Sequence, residues 1–283
     1  MFEYARPTSL DETFGLLREA PDARLLLGGT DLLVGLRKGR VTTPLVVDLK
    51  RVADLERGIA ERGGSLRIGA RTVLTELVAD DRIRTRFPAL VEAADVVGSI
   101  QIRNRATLAG NQCNASPAAD TATPLLVADA LVELAGSSGT RRVALADFYT
   151  GPGRTVLAAG EIMSAIELPL PDAPRGSAFA RMTRRRGVDL ATVNLCCSVS
   201  ADGVTRFAFG AVGPRPFAVR DDSGLLADAS ADPARQESAL RNLAAQATPI
   251  SNVRASREYR EAMLLVLARR ALLTARERLH TDA

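Results

Sequence analysis

Residues 107–120 read Thr-Leu-Ala-Gly-Asn-Gln-Cys-Asn-Ala-Ser-Pro-Ala-Ala-Asp. Small residues let a backbone approach a ligand closely, and Thr107, Asn111, Asn114, Ser116 and Asp120 supply hydroxyls, amides and one carboxylate to bind it. The apolar run that follows from Thr121, with Leu125, Leu126, Val127, Ala130 and Leu131, predicts a helix fed by this loop. The N-terminus of a helix carries unpaired N–H groups and a partial positive charge, which suits a phosphate or a hydroxyl-rich ligand. Taken alone, the stretch fits a polar surface loop with a proline turn equally well.

Upstream lies a second junction of the same kind. Ala23–Leu27 reads as a short buried strand, Gly28-Gly29-Thr30-Asp31 follows, and Leu32, Leu33 and Leu36 restart helical spacing. Paired glycines reach dihedrals closed to other residues and can turn successive N–H groups inward as a nest for an anion such as a diphosphate. The glycines at 28, 29 and 35 do not match Gly-x-Gly-x-x-Gly, and no Walker lysine follows; by itself the pair is more often a tight turn. Before this junction, Ser9-Leu10-Asp11-Glu12 fits a capping box, and Phe14, Leu17 and Ala20 repeat helically until Pro21. After it, Pro44–Leu49 is a second strand, so strand, helix and strand predict a small parallel unit with a right-handed crossover.

From Ser65 to Ala70 the pattern alternates, helical pieces begin at Thr75 and Phe87, and Leu131–Leu134, Arg141–Leu145 and Ile162–Leu168 read as strands. Pro169–Pro174 is the clearest connector. Beyond it Ala178–Arg181, Leu190–Val199 and Arg206–Val212 predict an antiparallel meander with a hairpin turn at Asp202-Gly203, ended by Gly213-Pro214-Arg215-Pro216. Two helices follow, around Ala234–Gln246 and from Ser256, the second with Tyr259, Ala262, Met263, Val266 and Leu267 on one face.

Composition narrows the chemistry. The 283 residues, 46% hydrophobic and 25% charged, are those of an ordinary globular chain of two or three units. A net charge of +4 over 37 basic and 33 acidic residues does not point to nucleic acid. One basic cluster stands out, Arg181–Arg186, for which a solvated or interface role is commoner than a ligand contact. Cys113, Cys196 and Cys197 make neither a disulfide framework nor a cluster site, and the last two, adjacent, would point to opposite faces of a strand. His280 is the single histidine, which excludes a histidine triad or a zinc site built on histidines. Chemistry here would come from a cofactor. No apolar run is long enough to span a membrane and the N-terminus lacks a signal pattern, so a cytoplasmic location is expected.

Leu25–Leu32 with its Gly28-Gly29-Thr30-Asp31 core, Gln101–Asn111, Ser116–Asp120, Gly160–Pro169, Gly210–Pro216 and Glu258-Tyr259-Arg260, in this order along the whole chain, resemble the FAD-binding medium subunit of molybdenum hydroxylases. That family includes flavoprotein subunits of bacterial xanthine dehydrogenases and aerobic carbon monoxide dehydrogenases. The resemblance implies an α+β chain. Residues 1–170 would be an FAD-binding domain of the vanillyl-alcohol-oxidase (PCMH) type, with subdomains about 1–55 and 56–170. Residues 175–283 would be a C-terminal domain of antiparallel sheet plus helices. It also implies that Leu25, Leu26, Leu27, Gly28, Gly29, Thr30, Asp31 and Leu32, with Thr107, Leu108, Ala109, Gly110 and Asn111, wrap the FAD diphosphate. Asp120 would hold the flavin's hydroxyl-bearing chain, and Val97, Met163 and Arg181 occupy positions of further FAD contacts. Ala109 departs from the family's usual glycine, so position 109 must avoid a glycine-only conformation or the loop must shift. Asp31, where some members carry a small polar residue, fits a helix N-terminus.

The expected role is an electron-transfer flavoprotein. A large partner would carry the molybdenum cofactor and a small partner the iron-sulfur clusters, and electrons would pass through FAD here to nicotinamide, quinone or oxygen. The arginines at 181–186 and in the final helix become candidate partner-facing surfaces. Two other readings remain: a stand-alone FAD-dependent oxidase or dehydrogenase of a small molecule, and a scaffold that no longer binds flavin. The first needs a polar substrate pocket that the sequence does not show, and the second is motivated only by Ala109.

Overall fold

The computed structural model describes residues 2–281. Ser9 starts the first helix: its hydroxyl accepts the N–H of Glu12, and the Glu12 carboxylate accepts the N–H of Thr8. The helix runs Leu10–Glu19 (α1) and buries Phe14 and Leu17. Before it lies Glu3–Ala5 (β1), after it Arg24–Leu26 (β2), Leu32–Arg37 (α2) and Leu45–Asp48 (β3). All pairings are parallel in the order β1-β3-β2, so the expected parallel unit gains a third strand. β1 is three residues long and mostly exposed, which leaves no apolar pattern to announce it.

The second sheet is antiparallel, in the order β4-β5-β10-β6-β7. Its strands are Ile59–Arg62 (β4), Ser65–Gly69 (β5), Leu131–Gly136 (β6), Gly139–Ala144 (β7) and Ile162–Pro169 (β10), with the small ribbon Tyr149–Gly151 (β8) and Arg154–Thr155 (β9) beside it. β10 is central and buried along nearly its whole length. One face carries Leu66, Ile68, Val132, Leu134, Ile166 and Leu168 into the core. The other carries a row of charges: Arg67 holds Glu133 at 2.7 Å, Glu167 at 2.9 Å and Glu56 at 2.9 Å. Between β5 and β6 run the helices Leu74–Ala79 (α3), Asp81–Arg86 (α4), Pro88–Asp95 (α5), Ile100–Arg103 (α6), Leu108–Cys113 (α7) and Ala122–Val127 (α8); Leu145–Phe148 (α9) follows β7.

The helix expected from Thr121 is shorter than its apolar run. Asp129 takes φ +53, Ala130 N–H bonds Leu125 O at 3.0 Å and Asp129 N–H bonds Leu126 O at 3.2 Å, a Schellman ending that releases Leu131 into β6. α8 is buried at all six positions, so hydrophobicity there reports burial rather than helix length.

The third sheet is an antiparallel meander of Arg175–Met182 (β11), Val193–Ser200 (β12), Thr205–Gly210 (β13) and Phe217–Asp221 (β14). Gly213–Pro216 does not end it, because β14 pairs with β13 from Phe217 onward. β12 is buried at every position, since both sheet faces are covered. The neighbouring cysteines record this: Cys196 lies in the core shared with the first 170 residues, and Cys197 in the core under the C-terminal helices. Those helices are Pro233–Ala244 (α10) and Arg257–Thr281 (α11). The buried stripe of α11 is Arg260, Leu264, Leu267, Ala268, Ala271, Leu272, Ala275 and Arg276; of the expected face Leu267 is buried and Met263 packs against the core, while Tyr259 is 46% exposed. Arg260 explains the rotation: its guanidinium turns inward to the carbonyls of Thr192 and Ala211.

Candidate functional site

Residues 107–113 are not the expected loop. Thr107 is a helix N-cap whose hydroxyl accepts the N–H of Gly110 at 3.0 Å, and Leu108–Cys113 is α7. Ala109 therefore sits in ordinary helical backbone, and its departure from glycine strains nothing. Ala115, at φ +44, turns the chain, and Ser116 accepts the N–H of Ala118 at 3.2 Å to set the approach to Asp120.

The two glycine junctions meet. A β-carbon on Gly28 would overlap the carbonyl oxygen of Arg105 and lie 2.9 Å from the α-carbon of Ala106, so only glycine permits this approach. Gly29 takes φ +73 directly after it. Among the described residues the N–H groups of Gly29, Thr30 and Asp31, and those of Leu108 and Ala109 in the first turn of α7, donate to no protein acceptor. Five open donors around a close backbone contact fit the diphosphate of a dinucleotide. Asp31 occupies the N-cap position of α2 without a capping bond, its side chain exposed. Arg105, exposed and in no ion pair, adds a positive charge at the same junction. Leu25, Leu26, Leu27 and Leu32 support the turn from the strand and helix on either side, with Leu26 5% exposed.

Asp120 is 8% exposed and held by the C-terminal sheet: Arg181 Nη1 donates to Oδ2 and Asn194 Nδ2 to Oδ1, each at 2.8 Å. Burial pushes its carboxyl above the ordinary carboxylate range, against the pull of Arg181 and Asn194. The structure thus joins Asp120 and Arg181, 61 residues apart, in one ion pair. A carboxylate has about four acceptor positions, so both oxygens still have capacity for ligand hydroxyls. Asn194 carried no sequence signal; it lies in a strand whose neighbours are all apolar or small.

A second network was equally silent in the sequence. Tyr149 donates to Gln112 Oε1 at 2.6 Å, Gln112 Nε2 donates to Thr121 at 2.8 Å, and Thr121 donates to Asn111 Oδ1 at 2.7 Å. It fixes Asn111 from behind. Cys113 is no nucleophile, because desolvation of its thiol pushes the pKa up to about 12. Val97 is partly buried in the turn between α5 and α6, its carbonyl accepting from Arg103 at 3.4 Å. Met163 is 4% exposed in β10 and its side chain belongs to the core.

Residues 1–171 match the family described as "FAD binding domain in molybdopterin dehydrogenase", and residues 177–275 the "CO dehydrogenase flavoprotein C-terminal domain". The chain is 32% identical to the putative xanthine dehydrogenase FAD-binding subunit of Escherichia coli (strain K12), over 97% of each chain. It is 31% identical to the carbon monoxide dehydrogenase medium chain of Afipia carboxidovorans, over 98% of this chain and 97% of that one. Among solved structures it resembles a chain of reconstituted CO dehydrogenase from Oligotropha carboxidovorans, with TM-score 0.90 and 30% identity over 98% of each. It also resembles a chain of quinoline 2-oxidoreductase from Pseudomonas putida 86, with TM-score 0.87 and 28% identity over 98% of this chain and 97% of that one. On these matches the chain belongs to the FAD-binding medium subunits of the molybdenum hydroxylases.

Proposed function

We propose that the chain holds FAD at the meeting of the two glycine junctions and serves as the electron-transfer subunit of a molybdenum-containing dehydrogenase. The observation that carries this is the contact of Gly28 with Arg105 and Ala106, which sets two groups of open N–H donors side by side. Gly29, Thr30, Asp31, Leu108 and Ala109 would hold phosphate oxygens through backbone N–H, with Gly110 and Asn111 completing the turn. Asp120, oriented by Arg181 and Asn194, would accept from hydroxyls of the flavin's side chain. Val97 and Met163 would line the site from the α5–α6 turn and from β10. FAD, when bound, supplies the redox chemistry, receiving electrons from an iron-sulfur partner and passing them to an external acceptor.

On this reading residues 1–170 form the FAD-binding part, with subdomains about 1–55 and 56–170, and residues 175–283 the C-terminal domain that seats Asp120. A large molybdenum-cofactor subunit and a small iron-sulfur subunit are the partners, supported by relatives named as medium chains. The complex would work in the cytoplasm, where free Cys113, Cys196 and Cys197 suit a reducing compartment. Among the described residues no helix is long and apolar enough to cross a membrane.

The test is a tagged purification from the native host, scoring flavin absorbance together with co-purifying molybdenum and iron. The expected product is a yellow-brown complex with both partners. A yellow chain that purifies alone and turns over a small molecule would replace this reading with the stand-alone oxidase.

A further inference from the structure

Where the first 170 residues meet the C-terminal sheet, a recess is walled on one side by apolar residues including Leu90, Val127 and Leu168. The other side is polar: Arg175 and Ser177 from β11 and Ser198 from β12. Register explains their convergence. Ser177 faces Ser198 across the ladder, and Ser198 lies two residues from Cys196, on the sheet face turned toward the first domain.

These side chains are not satisfied by the protein. Ser198 is 1% exposed and its hydroxyl has no partner. Arg175 Nε is buried without an acceptor, its one hydrogen bond is a long 3.4 Å contact from Nη1 to Val127 O, and it has no ion pair. Ser177, 9% exposed, gives its carbonyl to Arg278 and leaves its hydroxyl on the lining of the recess. Nearby carboxylates are engaged or outside: Asp129 pairs with Arg206 at 3.5 Å, Asp202 accepts from Ser200 and from Val204 N–H at 3.1 Å, and Asp172 is exposed in the connector. Arg86, also on the wall, is turned to Glu61 at 3.0 Å. Leaving the Ser198 hydroxyl and Arg175 Nε unmatched, with a half-buried cation, is costly, and their shared opening has room for one small occupant.

We propose that this recess binds one small monovalent anion, chloride in size and charge, through Arg175, Ser177 and Ser198. An anion accepts from all three donors and balances the guanidinium, whereas a water, which could pass its protons to the serine oxygens, would leave the charge of Arg175 unmatched. Burial, and then the like charge of Arg206, disfavours the Arg175 cation, and an anion in contact reverses that. The occupant would pin the sheet to α5 and α8. The same sheet brings Arg181 and Asn194 to Asp120, so anion binding would steady the seat of the cofactor domain without touching it.

The experiment is thermal unfolding of the purified holo-chain at constant ionic strength, with sodium gluconate progressively replaced by sodium chloride or bromide. It is repeated on Arg175→Gln, Ser198→Ala and Asp172→Asn, and a bromide-soaked crystal is examined for anomalous signal. Expected are a saturable rise in Tm with either halide, its loss in Arg175→Gln and Ser198→Ala, its retention in Asp172→Asn, and one bromide peak among the three side chains. Equal Tm in gluconate and chloride, a halide effect unchanged in both pocket variants, or no bromide peak there overturns the proposal. Should Arg175→Gln fail to fold, Ser198→Ala and the bromide peak decide.

Discussion

Asp120 and Glu133 are both acids held by an arginine away from water, and they come out opposite. Asp120 has one guanidinium and one amide at the joint between the domains, and burial wins, raising its pKa. Glu133 lies on the sheet face where Arg67 makes a bidentate contact and Ser164 donates to it at 2.6 Å; there the hydrogen bonds win, and its pKa is lowered. An ion pair braces a fold where its hydrogen bonds outweigh the desolvation they must offset. Asp120 sits on the other side of that line, with unused acceptor capacity, as its proposed contact with the flavin's hydroxyls requires.

The largest effect should come from removing Arg67. Arg67→Ala leaves Glu133 and Glu167 without their main partner and should cost about 3 kcal/mol, lowering Tm by roughly 6–12 °C in a heating scan. A loss below about 1 kcal/mol would reduce the charged row to surface decoration. Asp120→Ala comes next. It should weaken FAD binding by about 1.5–3 kcal/mol in a fluorescence titration, because it removes a charged acceptor and strands Arg181 and Asn194. Unchanged affinity would end its assignment to the flavin.

Smaller, but opposite in sign, are the pH dependences. The stability that Glu133 contributes is present above its unfolded value, about 4.3, and is lost as pH falls through its lower folded value. Asp120, with a raised folded pKa, contributes most below its unfolded value of about 3.9 and less as pH rises through the folded one. The stability of Asp120→Asn relative to the parent should therefore rise between pH 3 and 7, measured by urea unfolding, while that of Glu133→Gln should fall. Parallel trends would erase the contrast. Least of all, Arg184→Glu with Arg185→Glu in the exposed β11–β12 turn should change stability by no more than about 0.5 kcal/mol. The pair should nevertheless loosen the complex with the partner subunits, and an intact complex on size exclusion would remove that surface from consideration.

The strand-glycine-helix junction was legible because each part has a local cause: Leu26 buries between half-buried Leu25 and Leu27, Gly28 and Gly29 turn, Leu32 restarts the helix. The meander was legible from alternation and from Asp202-Gly203. What escaped depends on distant partners. Thr107–Cys113 reads as a loop because its helix is only six residues long and carries Gly110 and Asn111 in its middle, and only the Thr107 cap marks it. Asn194, Gln112 and Tyr149 gain their roles from residues far along the chain, and the inward turn of Arg260 overrides the apolar face of α11.

The most direct measurement is titration of FAD into the deflavinated chain, parent against Gly28→Ala, with circular dichroism showing both folded. A methyl group at position 28 must push the Arg105–Ala106 backbone away and part the two sets of N–H donors. The expected result is stoichiometric binding by the parent and binding weaker by roughly 5- to 150-fold in the variant, the effect of overpacking by about 1–3 kcal/mol. Equal affinity in both would contradict the placement of the cofactor between the two junctions.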